Sequence, residues 1–163
     1  MMKYCPECGT KMVAYFLHGQ ERRCCSSCEV VDWGNQMSVA VAVVAYNTDS
    51  EFAMVRMKDG PTGSLTFPQG YREVGETLPA AAAREALEET GHPVTNLQLY
   101  DIYTSDEKRL VWVIYKASLG HGEFVENPET SELLFFSEDN PPPFDNLRGP
   151  LTKRLLHDIL GYR

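Results

Sequence analysis

The chain has 163 residues, 43% of them hydrophobic and 10% aromatic, which suits one folded domain with a small appendage rather than a disordered chain. Its formal charge of −8 argues against a nucleic-acid partner bound through broad electrostatics, but a metal ion could still bring a small phosphate-bearing ligand into an acidic site. The longest apolar stretch, Val39 to Tyr46, is too short to span a bilayer, and MMKYCPECG has no apolar signal region. No membrane partner and a cytoplasmic location are therefore expected.

All five cysteines fall in the first 28 residues. Cys5-Pro-Glu-Cys8 and Cys25-Ser-Ser-Cys28 form two C-x2-C pairs separated by sixteen residues. That spacing lets two turns each offer two thiolates to one tetrahedral ion, the pattern of structural Zn²⁺. Cys24 competes with Cys25 for the fourth position, and the symmetry of the two pairs favours Cys25. A segment this short buries little core, so a metal supplies the missing cross-link. The composition shift places a zinc ribbon at residues 1–34 and a second domain at 35–163.

The second domain opens with valine-rich MSVAVAVVAY, a central strand, followed by the turn NTDSE and the hairpin partner FAMVRM. SLTFPQG reads as a short strand ending at Pro68, with Gly70 allowing an unusual turn. Thr77 as N-cap, Pro79 in the first turn and Gly91 as stop bracket a helix from Leu78 to Thr90. LQLYDIYT and LVWVIYKASL are strands flanking SDEKR. GHGEFVENPETS is a polar loop, and ELLFFS is another strand. DNPPPFDN can be neither helix nor central strand. PLTKRLLHDILGY closes the chain as an amphipathic helix. Mixed strands with two separated helices imply an α+β sandwich.

On the first helix Glu85, Glu88 and Glu89 stand at i, i+3 and i+4 and share an arc of ~100°. Ala83, Ala86 and Leu87 point the other way, toward the sheet. Carboxylates so placed repel, and Arg84 alone does not neutralise three. A solvated face is one reading; a hard divalent ion such as Mg²⁺ or Mn²⁺ is the other.

The stretch from Gly70 to His92 resembles the Nudix hydrolase signature, G-x5-E-x7-R-E-U-x-E-E-x-G-U, with U a bulky aliphatic residue. Gly70, Glu76, Arg84, Glu85, Glu88, Glu89 and Gly91 fill its seven invariant positions. Ala86 and His92 depart from the two U positions. The surrounding strands and C-terminal helix are similar to the Nudix α/β/α sandwich with a mixed sheet. The double C-x2-C segment is similar to the ribbon ahead of that domain in NADH pyrophosphatases and their relatives.

The resemblance implies metal-dependent cleavage of the pyrophosphate of a nucleoside diphosphate linked to another group. By position it makes Glu85, Glu88 and Glu89 metal ligands, with the Gly70 carbonyl a further candidate, Glu76 supporting the loop or binding metal through water, and Arg84 orienting the carboxylates by ion pairing. The general base could be a helix glutamate or one of Glu126, Glu129 and Glu132, of which Glu132 is preferred. Phe67, Tyr71, Tyr103 and Trp112 are candidates for stacking on a base, and Arg56, Lys58 and Arg72 for outer phosphates, with core, strand surface or solvated charge the other reading of each. The S-Q-P-W-P-F-P-x-S array of NADH pyrophosphatases has no counterpart here, so a nucleotide sugar, ADP-ribose and a dinucleotide cofactor all stay open as the small substrate. A homodimer is compatible with the resemblance. The rival reading is an inactive module that binds a nucleotide or nucleic acid through the ribbon.

Overall fold

A computed structural model describes residues 2–59 and 63–161. Two compact units divide the chain, Met1–Met37 and Ser38–Arg163. Among the described residues no helix is long and apolar enough to cross a membrane.

The first unit holds a three-stranded antiparallel sheet, β1 (Val13–Leu17), β2 (Gln20–Cys24) and β3 (Val31–Asp32), in that order. The sequence reading assigned no strands here. The signal it passed over is His18-Gly19, both with positive φ (51° and 78°), which makes the tight hairpin turn between β1 and β2. Cys5, Met12 and Cys25 are buried together as the unit's small core, with Met2 and Val30 against them.

The second unit is built on one mixed sheet. Its strands are β4 (Ser38–Tyr46), β5 (Phe52–Met57), β6 (Leu65–Thr66), β7 (Gln69–Tyr71), β8 (Val94–Ser105), β9 (Leu110–Leu119) and β10 (Thr130–Phe136). They run in the order β10-β5-β4-β9-β8, with β6 on β5 and β7 on β4. The β4–β9 pair is parallel, Val41 opposite Val113, and the other pairs are antiparallel.

Helix α1 (Leu78–Thr90) covers one face and α2 (Gly149–Ile159) the other. Alternation along the strands sorts the two cores. Val41, Val43 and Ala45 of β4 pack with Ala81, Ala82 and Ala86 of α1. Ala42 and Val44 pack with Phe52, Phe67, Leu155 and Leu156 on the α2 side. Burial on both faces is why β4 reads as an unbroken apolar run. The expected α/β/α sandwich is the observed architecture.

The span of α1 agrees with the sequence signals. Thr77 Oγ1 accepts from Ala80 N, and Gly91 caps the end at φ 72°. Three details differ. The short strand stops before Pro68, as expected, but a further strand, β7, runs from Gln69 to Tyr71 where a turn was expected. Phe144–Asn146 forms a 3₁₀ turn just after the prolines of DNPPPFDN. The C-terminal helix ends at Ile159, and Tyr162, which the expected helix included, lies outside the described residues.

Candidate functional site

In the first unit the sulfurs of Cys5, Cys8, Cys25 and Cys28 all lie within 4.8 Å of one another. Cys25 belongs to the quartet and Cys24 does not. Two equivalent knuckles present them: Cys5 N donates to Thr10 O and Gly9 N to Cys5 O, as Cys25 N does to Val30 O and Glu29 N to Cys25 O. Gly9 (φ 71°) and Glu29 (φ 60°) take the same left-handed position in the two turns. Separations of 3.3 Å for Cys5–Cys28 and 3.5 Å for Cys8–Cys25 approach the ~3.8 Å edge of a tetrahedron with ~2.3 Å Zn–S bonds. Hydrogen bonding to Thr10 draws the Cys8 thiol down to about 6, while hydrogen bonding to Cys5 and Cys25 pushes the Cys28 thiol up to about 12.

In the second unit the signature glutamates divide their duties. Arg84 is the hub. Its Nε and Nη2 lie 2.7 and 3.1 Å from the two oxygens of Glu76, and its Nη1 lies 2.8 Å from Glu85 and 3.1 Å from Glu88. Nη2 also donates to the Tyr71 carbonyl. Glu76 Oε2 further accepts from Glu73 N, so both its oxygens are engaged, in keeping with the expected loop-supporting role. Glu76 also holds the arginine that spaces the helix carboxylates.

Glu89 behaves differently. The buried face of α1 carries Ala81, Ala82, Ala86 and Thr90, and Glu89, at 4% exposure, lies among them. Leu87, expected to face the sheet, is exposed instead. At ~100° per residue Ala81, Ala82 and Ala86 define an arc with Glu89 inside it and Leu87 outside. Burial pushes the Glu89 carboxyl up to about 8, aided by Glu85 and Glu129 and opposed by the Gln69 amide and Arg148. That amide donates to Glu89 Oε2 at 3.0 Å. Burial also raises Glu85.

Gly70 explains how the helix approaches the sheet so closely. A Cβ there would lie 2.1 Å from Glu85 Cδ, so any larger residue would push the carboxylate out of its present place. Its φ is not left-handed; close approach, not an unusual turn, is the requirement. His92 donates its amide to Thr90 Oγ1, and its Nδ1 lies 3.0 Å from the Gly120 carbonyl. It ties the helix end to the segment after β9, a polar task that an aliphatic residue could not perform.

Glu85, Glu88 and Glu89 line a cavity of about 270 Å³ with Asn127, Pro128 and Glu129. Glu89 and Glu129 also border a second, of about 350 Å³, with Gly70, Tyr71 and Trp112. The carboxylate oxygens of the helix are not gathered at one point: among the described residues, the cysteine quartet is the one group of three or more metal-type donors within 4.8 Å. Arg84 and the Gln69 amide hold them apart. As hard oxygen donors lining a shared cavity they nevertheless suit a divalent ion of the Mg²⁺ or Mn²⁺ type.

Other expected site residues lie elsewhere. Glu132, on β10, faces Arg56 across the sheet with 2.7 Å between them, and lines neither glutamate cavity. Phe67 is 1% exposed in the α2-side core and offers no stacking face. Arg56 is held by Glu132, Lys58 by Glu126, and Arg72 donates to the Glu76 carbonyl, so these cations serve the scaffold. Tyr71, exposed, and Trp112 do border the cleft. Asn127 and Arg148 escaped the sequence reading. Asn127 donates to the Glu88 carbonyl at 3.1 Å and accepts from Glu129 N, pinning the loop to the helix. Arg148 is paired through both terminal nitrogens with Asp59 at the mouth of the cleft. An N-P-E turn was the one available hint for Asn127.

A model of the NUDIX domain matches residues 37–155. The chain belongs to the Nudix family. The curated relatives of this Nudix chain include the NAD-capped RNA hydrolase NudC of Vibrio cholerae, 28% identical over 161 residues, covering 98% of this chain and 58% of the relative. The protein of the same name from Escherichia coli O1:K1 is 30% identical over 164 residues, covering 98% and 60%. The chain thus spans about three fifths of the length of these relatives. Among solved structures, a NUDIX hydrolase from Nitrosomonas europaea superposes with a TM-score of 0.77 at 25% identity, covering 99% of this chain and 94% of that one.

Proposed function

We propose that the chain is a metal-dependent pyrophosphohydrolase with a zinc ribbon at residues 1–34 and a Nudix hydrolase domain at 35–163. The observation that carries this reading is the set of Glu85, Glu88 and Glu89 around one cavity, ordered by Arg84 and admitted by Gly70. Glu85, Glu88 and Glu89 hold Mg²⁺ or Mn²⁺, with the Gly70 carbonyl bordering the site, and Cys5, Cys8, Cys25 and Cys28 hold Zn²⁺. A bound divalent ion screens phosphate charge and acidifies its water.

In the reaction, water adds to one phosphorus and the bond from that phosphorus to the bridging oxygen breaks, releasing two phosphate-bearing products. Glu129 takes the proton of the attacking water, in place of the expected Glu132. Support for Glu129 comes from its position in both cavities that contain Glu89, held there by Asn127. Arg84 fixes the orientation of Glu85 and of the exposed Glu88, and the Gln69 amide fixes Glu89. Tyr71 and Trp112 offer stacking faces beside the cleft.

The substrate is a nucleoside diphosphate linked to a second moiety, and the names of the relatives favour a dinucleotide cofactor over a nucleotide sugar. A panel of nucleoside diphosphate derivatives assayed with Mg²⁺ and Mn²⁺ tests the reading. Release of mononucleotide from at least one is expected, and inertness across the panel would sink it.

A further inference from the structure

Glu129 reaches the glutamate cavities from a segment with no helix or strand of its own, Gly120 to Glu129, between β9 and β10. A base on such a segment is placed only as well as the segment is anchored. The anchors converge on the last turn of α1. Asn127 donates to the Glu88 carbonyl, and Thr130 Oγ1 to the Glu89 carbonyl at 3.3 Å. Both carbonyls belong to the final turn, which a helix leaves without partners of its own. The loop therefore completes the cap of the helix that carries Glu85, Glu88 and Glu89.

The start of the loop is fixed just past that cap. Pairing of Val94 with Leu119 sets Pro93 beside Gly120, whose amide donates to the Pro93 carbonyl at 2.7 Å. Gly91 and Gly122 then pass with no room for a side chain on either. A Cβ on Gly91 would lie 2.1 Å from Glu123 O, and one on Gly122 would lie 2.2 Å from Gly91 O. This backbone-to-backbone contact is fastened by one side chain, His92. Its Nδ1 lies 3.0 Å from Gly120 O, and since a carbonyl only accepts, Nδ1 carries the hydrogen. The His92 amide is held by Thr90 Oγ1, a fully buried hydroxyl that donates to the Ala86 carbonyl inside the helix. His92 thus joins a point rigid with α1 to the first residue of the loop.

We propose that His92 is a positioning residue for Glu129. By holding Gly120 to the end of α1, it fixes where the loop departs from the sheet, and with that the place of Glu129 relative to Glu89. The inference rests on the reading of Glu129 as the base and adds a residue at which this chain departs from the signature. His92 lines neither glutamate cavity, so it acts through the loop alone. Its loss should slow the step that needs the base and leave binding by α1 in place.

Two variants of the intact protein test this. His92→Leu restores the aliphatic residue of the signature and removes the donor; His92→Asn keeps a side-chain N–H near the place of Nδ1. Hydrogen exchange needs no substrate: amides of residues 120–129 should exchange roughly fivefold faster in His92→Leu, with β4 unchanged and His92→Asn close to wild type. With NADH or ADP-ribose and Mg²⁺, His92→Leu should lower kcat about tenfold at nearly constant KM, and His92→Asn should recover most of it. In a Glu129→Gln background His92→Leu should cost nothing further. An equal loss in both backgrounds shows a merely structural role and overturns the inference, as does an unchanged kcat or an unchanged loop exchange in His92→Leu. Should His92→Leu not fold, His92→Ala removes the donor without adding an apolar side chain and keeps the test decisive. Normal turnover by Glu129→Gln would fell the base and this inference together. Turnover indifferent to His92 would defeat this inference alone. A loop freed in His92→Leu, in a protein that cleaves no member of the substrate panel, would defeat the hydrolase reading and leave the anchoring by His92 standing.

Discussion

The sulfurs of the N-terminal unit and the carboxylates of α1 are both donor sets for a cation, and the chain assembles them in opposite ways. Cys5, Cys8, Cys25 and Cys28 converge within 4.8 Å through two short knuckles closed by local backbone hydrogen bonds. Glu85, Glu88 and Glu89 remain distributed between Arg84 and the Gln69 amide, and their common cavity is completed by Glu129 from a loop about forty residues away. Thiols crowd more readily than carboxylates, because a thiol of ordinary pKa, about 8.5, is mostly neutral at pH 7. Of the carboxylates, Glu85 and Glu88 are held by Arg84, while Glu89 is buried with its carboxyl pushed up to about 8. A soft site can therefore be written locally, whereas a hard one needs the sheet behind it.

Breaking the hard site should have the largest effect. Glu89→Gln is expected to lower kcat/KM roughly 100-fold or more with the fold retained, as followed by steady-state kinetics and circular dichroism. Near-normal turnover would remove Glu89 from the metal site. In the soft site, Cys5→Ser should release zinc and loosen residues 1–34 while the second unit still melts cooperatively. Zinc content and hydrogen exchange report this, and full zinc retention would refute the ribbon.

Gly70→Ala should displace Glu85 and reduce metal affinity roughly 10- to 100-fold, read by Mn²⁺ titration. An unchanged affinity would show that Glu85 tolerates the shift. The pH response separates the two sites further. The Glu89 carboxyl is raised from 4.5 to about 8, so in chelator-treated protein its contribution to stability is full below 4.5 and lost as pH climbs through about 8. Mg²⁺ binding should accordingly strengthen over the same interval, because the ion displaces that proton. Thermal melts in chelator from pH 5 to 9, compared with Glu89→Gln, check the sign; identical slopes would remove Glu89 as the cause. The smallest effect belongs to Glu132→Gln, which disrupts a half-exposed pair with Arg56 worth about 1 kcal/mol or less and should leave kcat nearly intact. Glu129→Gln should lower kcat instead, and the reverse order would restore Glu132 as the base.

Much of this contrast was readable from residue order. The C-x2-C pairs, Thr77 and Gly91 act through neighbours one turn away, so their roles agree with the structure. Leu87 was misplaced because the small alanines that pack on the sheet, not the most apolar residue, decide which arc of α1 is buried. Phe67 was open as either a stacking or a core residue, and its ring fills the core beneath α2. Glu132 was preferred to Glu129 although they are only three residues apart. A register shift between Thr130 and Glu132, together with the Asn127 anchor, sends one to the cleft and the other to Arg56.

By itself the sequence determined the family signature, the four-cysteine spacing, the span of α1 and the unbroken apolar strand that a two-sided core requires. These are local or periodic features, set by one-turn hydrogen bonds and side-chain alternation. Only the tertiary structure decided that Glu89 is buried and Glu76 committed to Arg84, that Gly70 is a contact residue, and that His92 meets Gly120. Each of those depends on which strands lie side by side. Pairing of β4 with β7 and β9, and of β8 with β9, brings together residues that sequence distance keeps apart.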